Sequence, residues 1–209
     1  MSYIPTFATG SHRPGSPARQ HREVCWITPT LAVSGDLPNH RGERLAQLQR
    51  WQREGLTHVL DVREERDDSV FIREHSTIEP HWLGVDDHWG AITSEWFEAV
   101  TAVADRVYES DDEARLLVHC HMGVNRGPSA AFAILLARGW KATSALEAIR
   151  EARPFAGILY APEAAEWFAT SAGASEADIA AARNGVVAWL EDHPIDLPWV
   201  IRSIGWRTA

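Results

Sequence analysis

A cysteine and an arginine separated by five residues form the segment of this sequence best suited to chemistry. Residues 119–129 read HCHMGVNRGPS, so Cys120 and Arg126 lie on either side of Gly123. A loop of this kind can curl so that its backbone N–H groups point inward at an anion, and the glycine permits a turn that a side chain would obstruct. A thiolate is a strong nucleophile, and an arginine fork can hold two phosphate oxygens. The spacing predicts a phosphate-binding loop with a cysteine nucleophile.

The patterns on either side of this loop predict a strand before it and a helix after it. Residues 116–118 are a short apolar run typical of a buried strand, and residues 128–138 begin with proline and are followed by Gly139, as in a helix. The positive N-terminal end of that helix would face the anion. We therefore expect the pKa of Cys120 to be lowered, so that a thiolate forms at neutral pH without a dedicated base.

Strands and helices alternate along most of the chain, which predicts an α/β sheet with helices packed on it. We expect strands at residues 31–33, 57–62, 80–85 and 116–118, and helices at 44–51, 96–107, 128–138, 161–170 and 175–190. Residues 1–22 are typical of a flexible tail, residues 23–172 form the domain, and residues 173–209 form a helical extension that packs on it. Arg63 and Glu64 follow a strand, and we interpret them as a structural ion pair rather than ligand-binding groups.

Charge and cysteine content limit the classes of partner. The net charge is −9, and the three arginines of residues 1–22 make the rest of the chain still more acidic. We therefore expect neither nucleic acid nor a membrane surface as a partner, because both need clustered cations. No apolar run approaches the roughly 20 residues of a membrane span, and no secretion signal is recognised. With two cysteines a disulfide framework is not expected, which favours a cytoplasmic location; the oligomeric state stays open.

The sequence HCx5R after a strand resembles the signature of the cysteine-based protein tyrosine phosphatases, and most of all their dual-specificity phosphatase-like group. The likeness extends from residue 24 to about residue 170. It includes LAVSG at residues 31–35, GLTHVLDV at 55–62, VDDHW at 85–89 and the pattern at 145–154. It implies a central, mostly parallel mixed sheet flanked by helices, and a two-step reaction through a phosphocysteine intermediate.

The resemblance also implies a role for individual residues. Cys120 would be the nucleophile, Arg126 would hold the phosphate, and Asp87, 33 residues upstream, would be the acid, with Asp86 as the alternative. The remaining phosphate-binding residues would be His121, Met122, Gly123, Val124 and Asn125, supported by His119 and Ser129. No cofactor is implied. We expect no metal, because the three adjacent ligand types of HCH converge poorly on one ion and no pair has zinc-site spacing.

One position departs from the family pattern. Gly127 follows the arginine, where family members commonly carry a serine or threonine whose hydroxyl helps the thiolate leave in the second step. Ser129 lies two residues further and would need a different geometry. The departure predicts slow breakdown of the phosphocysteine, or a protein that favours binding over turnover.

These features predict a phosphatase for phosphotyrosine, with phosphoserine and phosphothreonine as further substrates. No counterpart of the recognition loop of the larger tyrosine-specific enzymes is found, which favours a shallow pocket. The partner would be a phosphorylated protein or a small phosphomonoester. Three alternatives stay open: a pseudophosphatase that binds phosphate, a phosphatase for RNA 5′-phosphates or phosphoinositides, and a rhodanese-like sulfur carrier. The acidic body and the lack of lysine in the loop argue against RNA and phosphoinositides.

Overall fold

A five-stranded sheet forms the centre of the computed structural model, which describes residues 16–87 and 92–208. Its strands are β1 (Cys25–Trp26), β2 (Leu31–Ser34), β3 (His58–Arg63), β4 (Glu79–Val85) and β5 (Leu116–His119), in the order β1-β2-β5-β3-β4. β1 runs antiparallel to β2, and all other pairs are parallel. The expected mixed, mostly parallel sheet is confirmed, with β5 at its centre.

Helices cover both faces of this sheet. They are α1 (Pro17–Gln20), α2 (Arg41–Arg53), α3 (Ser69–His75), α4 (Ser94–Ser110), α5 (Arg126–Ala137), α6 (Ala142–Ala152), α7 (Ala161–Ser171), α8 (Glu176–Asp192) and α9 (Leu197–Thr208). The α/β class is therefore confirmed. The short elements β1, α1 and α3 were not predicted, because two to seven residues are too few to show a hydrophobic period. None of the described helices is long and apolar enough to cross a membrane.

The alternation of side chains along β5 separates two hydrophobic cores. Leu116, Val118 and Cys120 face the larger core, which includes residues of α4, α5, α6, α7 and α8. Leu117 faces the smaller core beneath α2 and α3. Because successive side chains of a strand point to opposite faces, His119 is directed away from the side of Cys120. Its ring lies against Trp51 of the smaller core.

Both ends of the described chain pack near the loop that follows β5. α9 contributes Leu197, Val200 and Ile204 to a third hydrophobic cluster with Val124 and Phe155. At the other end, His21 is buried and its carbonyl oxygen accepts a hydrogen bond from the backbone N–H of Gly35. The structure thus places residues 17–22 on the domain, against our expectation of a tail up to residue 22. Residues 1–15 lie outside the described residues.

Candidate active site

The loop between β5 and α5 wraps around the sulfur of Cys120. Cys120 is buried, and the backbone groups of Gly127 and Gly123 hydrogen-bond to its sulfur. Gly123 has φ +64°, a conformation that favours glycine. A Cβ atom at this position would lie 2.4 Å from the Nη2 atom of Arg153 and 2.7 Å from the carbonyl of Ser34. The predicted need for glycine at position 123 therefore has two causes, backbone conformation and lack of space.

Arg153 holds the loop through hydrogen bonds to its carbonyl oxygens. Its Nε donates to the carbonyl oxygen of Gly123 at 2.6 Å and its Nη2 to that of Met122 at 3.0 Å. In a trans peptide the C=O and the following N–H point in opposite directions. The N–H groups of Gly123 and Val124 therefore face away from Arg153, which orients them as an anion site requires. Arg153 falls within the pattern at residues 145–154, but no local pattern indicates this role, because its partners lie about 30 residues earlier in the chain.

Arg126 starts α5 and is buried beside the loop. Its Nη1 donates to Oε2 of Glu65 at 2.6 Å and its Nη2 to Oε1 at 2.8 Å, and Nη1 also donates to the carbonyl oxygen of Val85 at 3.0 Å. Nε has no hydrogen-bond partner among the described residues, although Oδ2 of Asp87 lies 3.5 Å away. The hydrogen bond from Arg126 lowers the pKa of Glu65 to about 2. Arg126 thus keeps its Nε donor for an anion.

Glu65 was not predicted from the sequence. It lies two residues beyond β3, at the edge of the sheet where the carboxyl ends of parallel strands place ligand-binding groups. That position was the available signal, but at this end of the strand we considered only Arg63 and Glu64, and not Glu65.

The low pKa expected for Cys120 is not found. Burial raises the pKa of the Cys120 thiol, and it outweighs Arg126 and the backbone groups of Gly127 and Gly123, which lower it. Asp87 also raises this pKa, and the carboxylate of Glu65 offsets part of the charge of Arg126. The thiolate is therefore the minority form at neutral pH. The sequence showed the cation and the helix, but not the burial of the thiol or the carboxylate of Glu65.

Asp87 lies beside Arg126 and the loop. Its Oδ1 accepts hydrogen bonds from Nδ2 of Asn125 at 2.8 Å and from the hydroxyl of Tyr160 at 3.1 Å. Asp86 and Asp87 are both exposed, and Asp87 contacts Asn125 and Arg126. The neighbouring His88 and Trp89, which carried part of the resemblance, lie outside the described residues. Tyr160 was missed, because no local pattern connects it with a residue 73 positions earlier.

The two histidines of the loop segment contact other parts of the protein. His119 is fully buried, and neither ring nitrogen has a hydrogen-bond partner among the described residues. Burial lowers its pKa, and its ring lies on the opposite face of β5 from Cys120, so any support from His119 is not a hydrogen bond to the sulfur. Nδ1 of His121 is hydrogen-bonded to Oδ2 of Asp36 at 2.7 Å.

Asn125 and Ser129 connect the loop to the segment before α7. Oδ1 of Asn125 accepts from the backbone N–H of Leu159 at 2.8 Å and from the hydroxyl of Ser129 at 3.3 Å. The hydroxyl of Ser129 also accepts from the backbone N–H of Tyr160. The hydroxyl of Ser129 is thus engaged by Asn125 and Tyr160 and does not replace a hydroxyl at Gly127. Met122 and Val124 contact the cluster of α9, with Val124 buried in it.

Arg63 is buried at the end of β3 and is enclosed by carboxylates. Its Nε and Nη2 donate to the two oxygens of Asp61 at 2.9 and 2.7 Å, and Nη2 also donates to Asp68 at 2.7 Å. Nη1 lies 3.5 Å from Asp36. The interpretation of Arg63 as a structural ion-pair residue is confirmed, with these aspartates rather than Glu64 as partners. No group of three or more His, Cys, Asp or Glu side chains suited to a metal occurs among the described residues.

Comparison with known proteins agrees with this geometry. Residues 42–159 match the family "Dual specificity phosphatase, catalytic domain". Human DUSP28 is 15% identical, with 72% of this chain and 98% of that chain covered and a TM-score of 0.58. Tk-PTP in the active form is 21% identical, with coverage of 81% and 96% and a TM-score of 0.52. PTPMT1 in complex with PI(5)P is 19% identical, with coverage of 74% and 98% and a TM-score of 0.54.

The structural likenesses lie below 25% identity and show the shared fold. The family match covers more than half of the chain and includes the whole loop from Cys120 to Arg126. The chain therefore belongs to the family of dual specificity phosphatase catalytic domains.

Proposed function

We propose that this protein hydrolyses phosphomonoesters through a phosphocysteine formed on Cys120, with phosphotyrosine as the main substrate and phosphoserine and phosphothreonine as further ones. The observation that supports this most is the convergence of three groups on one site. The sulfur of Cys120 is held by loop backbone groups, Arg126 keeps its Nε available, and Asp87 lies 3.5 Å from that atom. These are a nucleophile, a phosphate-binding cation and an acid.

In the first step the thiolate of Cys120 attacks phosphorus. A sulfur–phosphorus bond forms, the bond from phosphorus to the ester oxygen breaks, and Asp87 donates its proton to that oxygen. Arg126 and the loop N–H groups stabilise the charge that develops on the phosphate oxygens. Because the thiolate is the minority form at neutral pH, we expect hydrolysis of para-nitrophenyl phosphate, whose leaving group does not need the proton of Asp87, to accelerate as the pH rises through the neutral range.

In the second step water attacks the phosphocysteine. Asp87, now a carboxylate, takes a proton from the water, the sulfur–phosphorus bond breaks, and inorganic phosphate and the thiolate are released. Gly127 offers no hydroxyl to the departing sulfur, and Ser129 is occupied by Asn125 and Tyr160. The second step is therefore the slower one in this proposal.

A pseudophosphatase that binds phosphate is the second candidate. The raised pKa of Cys120 and the glycine at position 127 both favour it, since each weakens one step of catalysis. The presence of Cys120, Arg126 and Asp87 side by side favours an enzyme. Phosphoinositides, the class bound by the structural relative PTPMT1, are a third ligand class to include in the assay. The loop itself carries no lysine for additional phosphate groups.

The experiment is hydrolysis of para-nitrophenyl phosphate and of a phosphotyrosine peptide by the wild type, Cys120→Ser and Asp87→Asn, with vanadate as inhibitor. We expect the wild type to turn over both, Cys120→Ser neither, and Asp87→Asn to lose about 10²-fold or more on the peptide, whose leaving group needs a proton. Phosphoserine peptide and PI(5)P in the same assay separate the substrate classes. Vanadate binding without wild-type turnover would favour the pseudophosphatase. The proposal is contradicted if neither turnover nor binding occurs.

The variant Gly127→Ser tests the proposed slow step. A Cβ atom at position 127 would lie 3.4 Å from the backbone N of Cys120 and 3.5 Å from His119, which is ordinary contact, so serine fits. We expect kcat to rise about tenfold with kcat/KM unchanged, since only breakdown of the phosphocysteine is accelerated. The measurement is steady-state kinetics with the burst of nitrophenol. An unchanged kcat in a folded variant would show that breakdown is not limited by this hydroxyl.

A further inference from the structure

We infer that Tyr160 is a positioning residue for the acid Asp87 and that, together with Asn125, it selects the carboxylate oxygen that carries the proton. This inference rests on the proposed function, since it assigns Asp87 the role of acid. Tyr160 lies just before α7 and outside the loop of Cys120 and Arg126.

Two donors converge on one oxygen of Asp87. The hydroxyl of Tyr160 and the Nδ2 group of Asn125 both donate to Oδ1, at 3.1 and 2.8 Å. A carboxylic acid carries its proton on one oxygen, and an oxygen that already accepts two hydrogen bonds has little capacity left to present one. The proton of the acid therefore belongs on Oδ2, which is also the oxygen nearer to Nε of Arg126. That oxygen faces the phosphate-binding group.

The backbone next to Tyr160 is attached to the phosphate loop itself. The backbone N–H of Gly157 donates to the carbonyl oxygen of Val124 at 2.6 Å, and that of Leu159 donates to the side chain of Asn125. Between them Ile158 has φ +53°, which is rare for a β-branched residue and needs support from its surroundings. These hydrogen bonds connect the backbone beside Tyr160 to the loop that carries Cys120 and Arg126. The hydroxyl of Tyr160 therefore aligns Asp87 with both residues.

The protonation state of the Tyr160 side chain suits this role. Tyr160 is buried, and burial together with the neighbouring Asp87 raises its pKa, so the hydroxyl keeps its proton throughout the neutral range. A neutral phenol at this position can only donate to the ionised carboxylate. The contact therefore persists in the second step, when Asp87 is the base.

The test is the variant Tyr160→Phe, which removes the hydroxyl and keeps the ring. Tyr108→Phe is the matched control, because the hydroxyl of Tyr108 also makes a partly buried hydrogen bond at 3.0 Å, to the carbonyl of Thr30, outside the site. The readout is kcat/KM for phenyl phosphate, a poor leaving group, and for para-nitrophenyl phosphate, a good one. kcat/KM reports on phosphocysteine formation and is independent of its slow breakdown. Thermal unfolding monitors folding of each variant.

We expect Tyr160→Phe to lower kcat/KM about tenfold for phenyl phosphate and at most about twofold for para-nitrophenyl phosphate. In the Asp87→Asn background the same change should have no further effect, since the group that it positions is gone. Tyr108→Phe should leave both values unchanged. An equal loss on both substrates, a loss that persists in Asp87→Asn, or no loss overturns the inference while the proposed function stands. A wild type without turnover overturns both.

Discussion

Two arginines at the carboxyl end of the central strands are similarly buried, yet their surroundings differ. Arg63 is 1% exposed and Arg126 is 3% exposed. The side chains of Asp61 and Asp68, which bind Arg63, are themselves buried at 3% and 2%. Those of Glu65 and Asp87, which lie beside Arg126, are 51% and 43% exposed. A buried cation with buried partners is committed to the fold, whereas one with exposed partners can exchange them for an anion from solution.

The electrostatic cost of each arrangement explains the difference. Removing one member of a buried ion pair leaves an uncompensated charge, which is strongly destabilising. A carboxylate that is half in water loses little when its partner turns to a ligand. Arg126 is therefore the arginine suited to bind phosphate, although each of the two side chains makes three hydrogen bonds. The number of hydrogen bonds alone does not distinguish the two arginines.

The largest expected effect is on the matched pair Arg63→Met and Arg126→Met. Arg63→Met should lower the free energy of unfolding by about 3–5 kcal/mol, because Asp61 and Asp68 remain buried without a cation. Arg126→Met should change it by no more than about 1 kcal/mol and yet lower kcat/KM by about 10³-fold or more. Urea unfolding and the phosphatase assay give both quantities. Equal destabilisation by the two changes would contradict the comparison.

A smaller effect is expected from Glu65→Gln. Glutamine removes a negative charge next to the phosphate site, so vanadate should bind about fivefold more tightly, as expected for a charge interaction of about 1 kcal/mol. The less compensated charge of Arg126 should also lower the pKa of Cys120, so that iodoacetamide reacts at lower pH. Glu64→Gln is the control, since it removes the same charge from the exposed neighbouring residue. Weaker binding in Glu65→Gln would show that Glu65 is an essential clamp rather than an exchangeable partner.

The smallest effect concerns Asp36, which contacts the enclosed Arg63. Burial opposes ionisation of Asp36, but the hydrogen bond with His121 and the charges of His121, Arg22 and Arg63 lower its pKa below 3.8. Its ionised form therefore stabilises the fold above about pH 4, and this contribution is lost as the pH falls through the lowered pKa. The stability advantage of the wild type over Asp36→Asn should shrink there, by at most about 1.4 kcal/mol per pH unit. A difference independent of pH would show that Asp36 acts without its charge.

The sequence was sufficient for features set by local patterns. The strand before Cys120, the helix after Arg126 and the demand for glycine at position 123 all follow from short-range rules, and each is present.

Features set by long-range contacts could not be predicted. The partners of Arg126 and Asp87 come from Glu65 and Tyr160, 61 and 73 residues away, and no pattern in one sequence reports such pairings. The pKa of Cys120 was predicted in the wrong direction, because the strand–helix motif shows the favourable dipole but not the complete burial of the thiol. The orientation of His119 is a different case, because it could have been predicted. Side chains alternate along a strand, and we did not apply that rule to the last residue of β5.

The most direct test of the proposed chemistry is to trap the phosphoryl group on the protein. The wild type and Cys120→Ser would be quenched with acid during turnover of para-nitrophenyl phosphate, and their peptides analysed by mass spectrometry. Because breakdown is expected to be slow, the peptide containing Cys120 should carry one phosphoryl group in the wild type and none in Cys120→Ser. Turnover by the wild type without a phosphoryl group on Cys120, or turnover that persists in Cys120→Ser, would contradict the proposal.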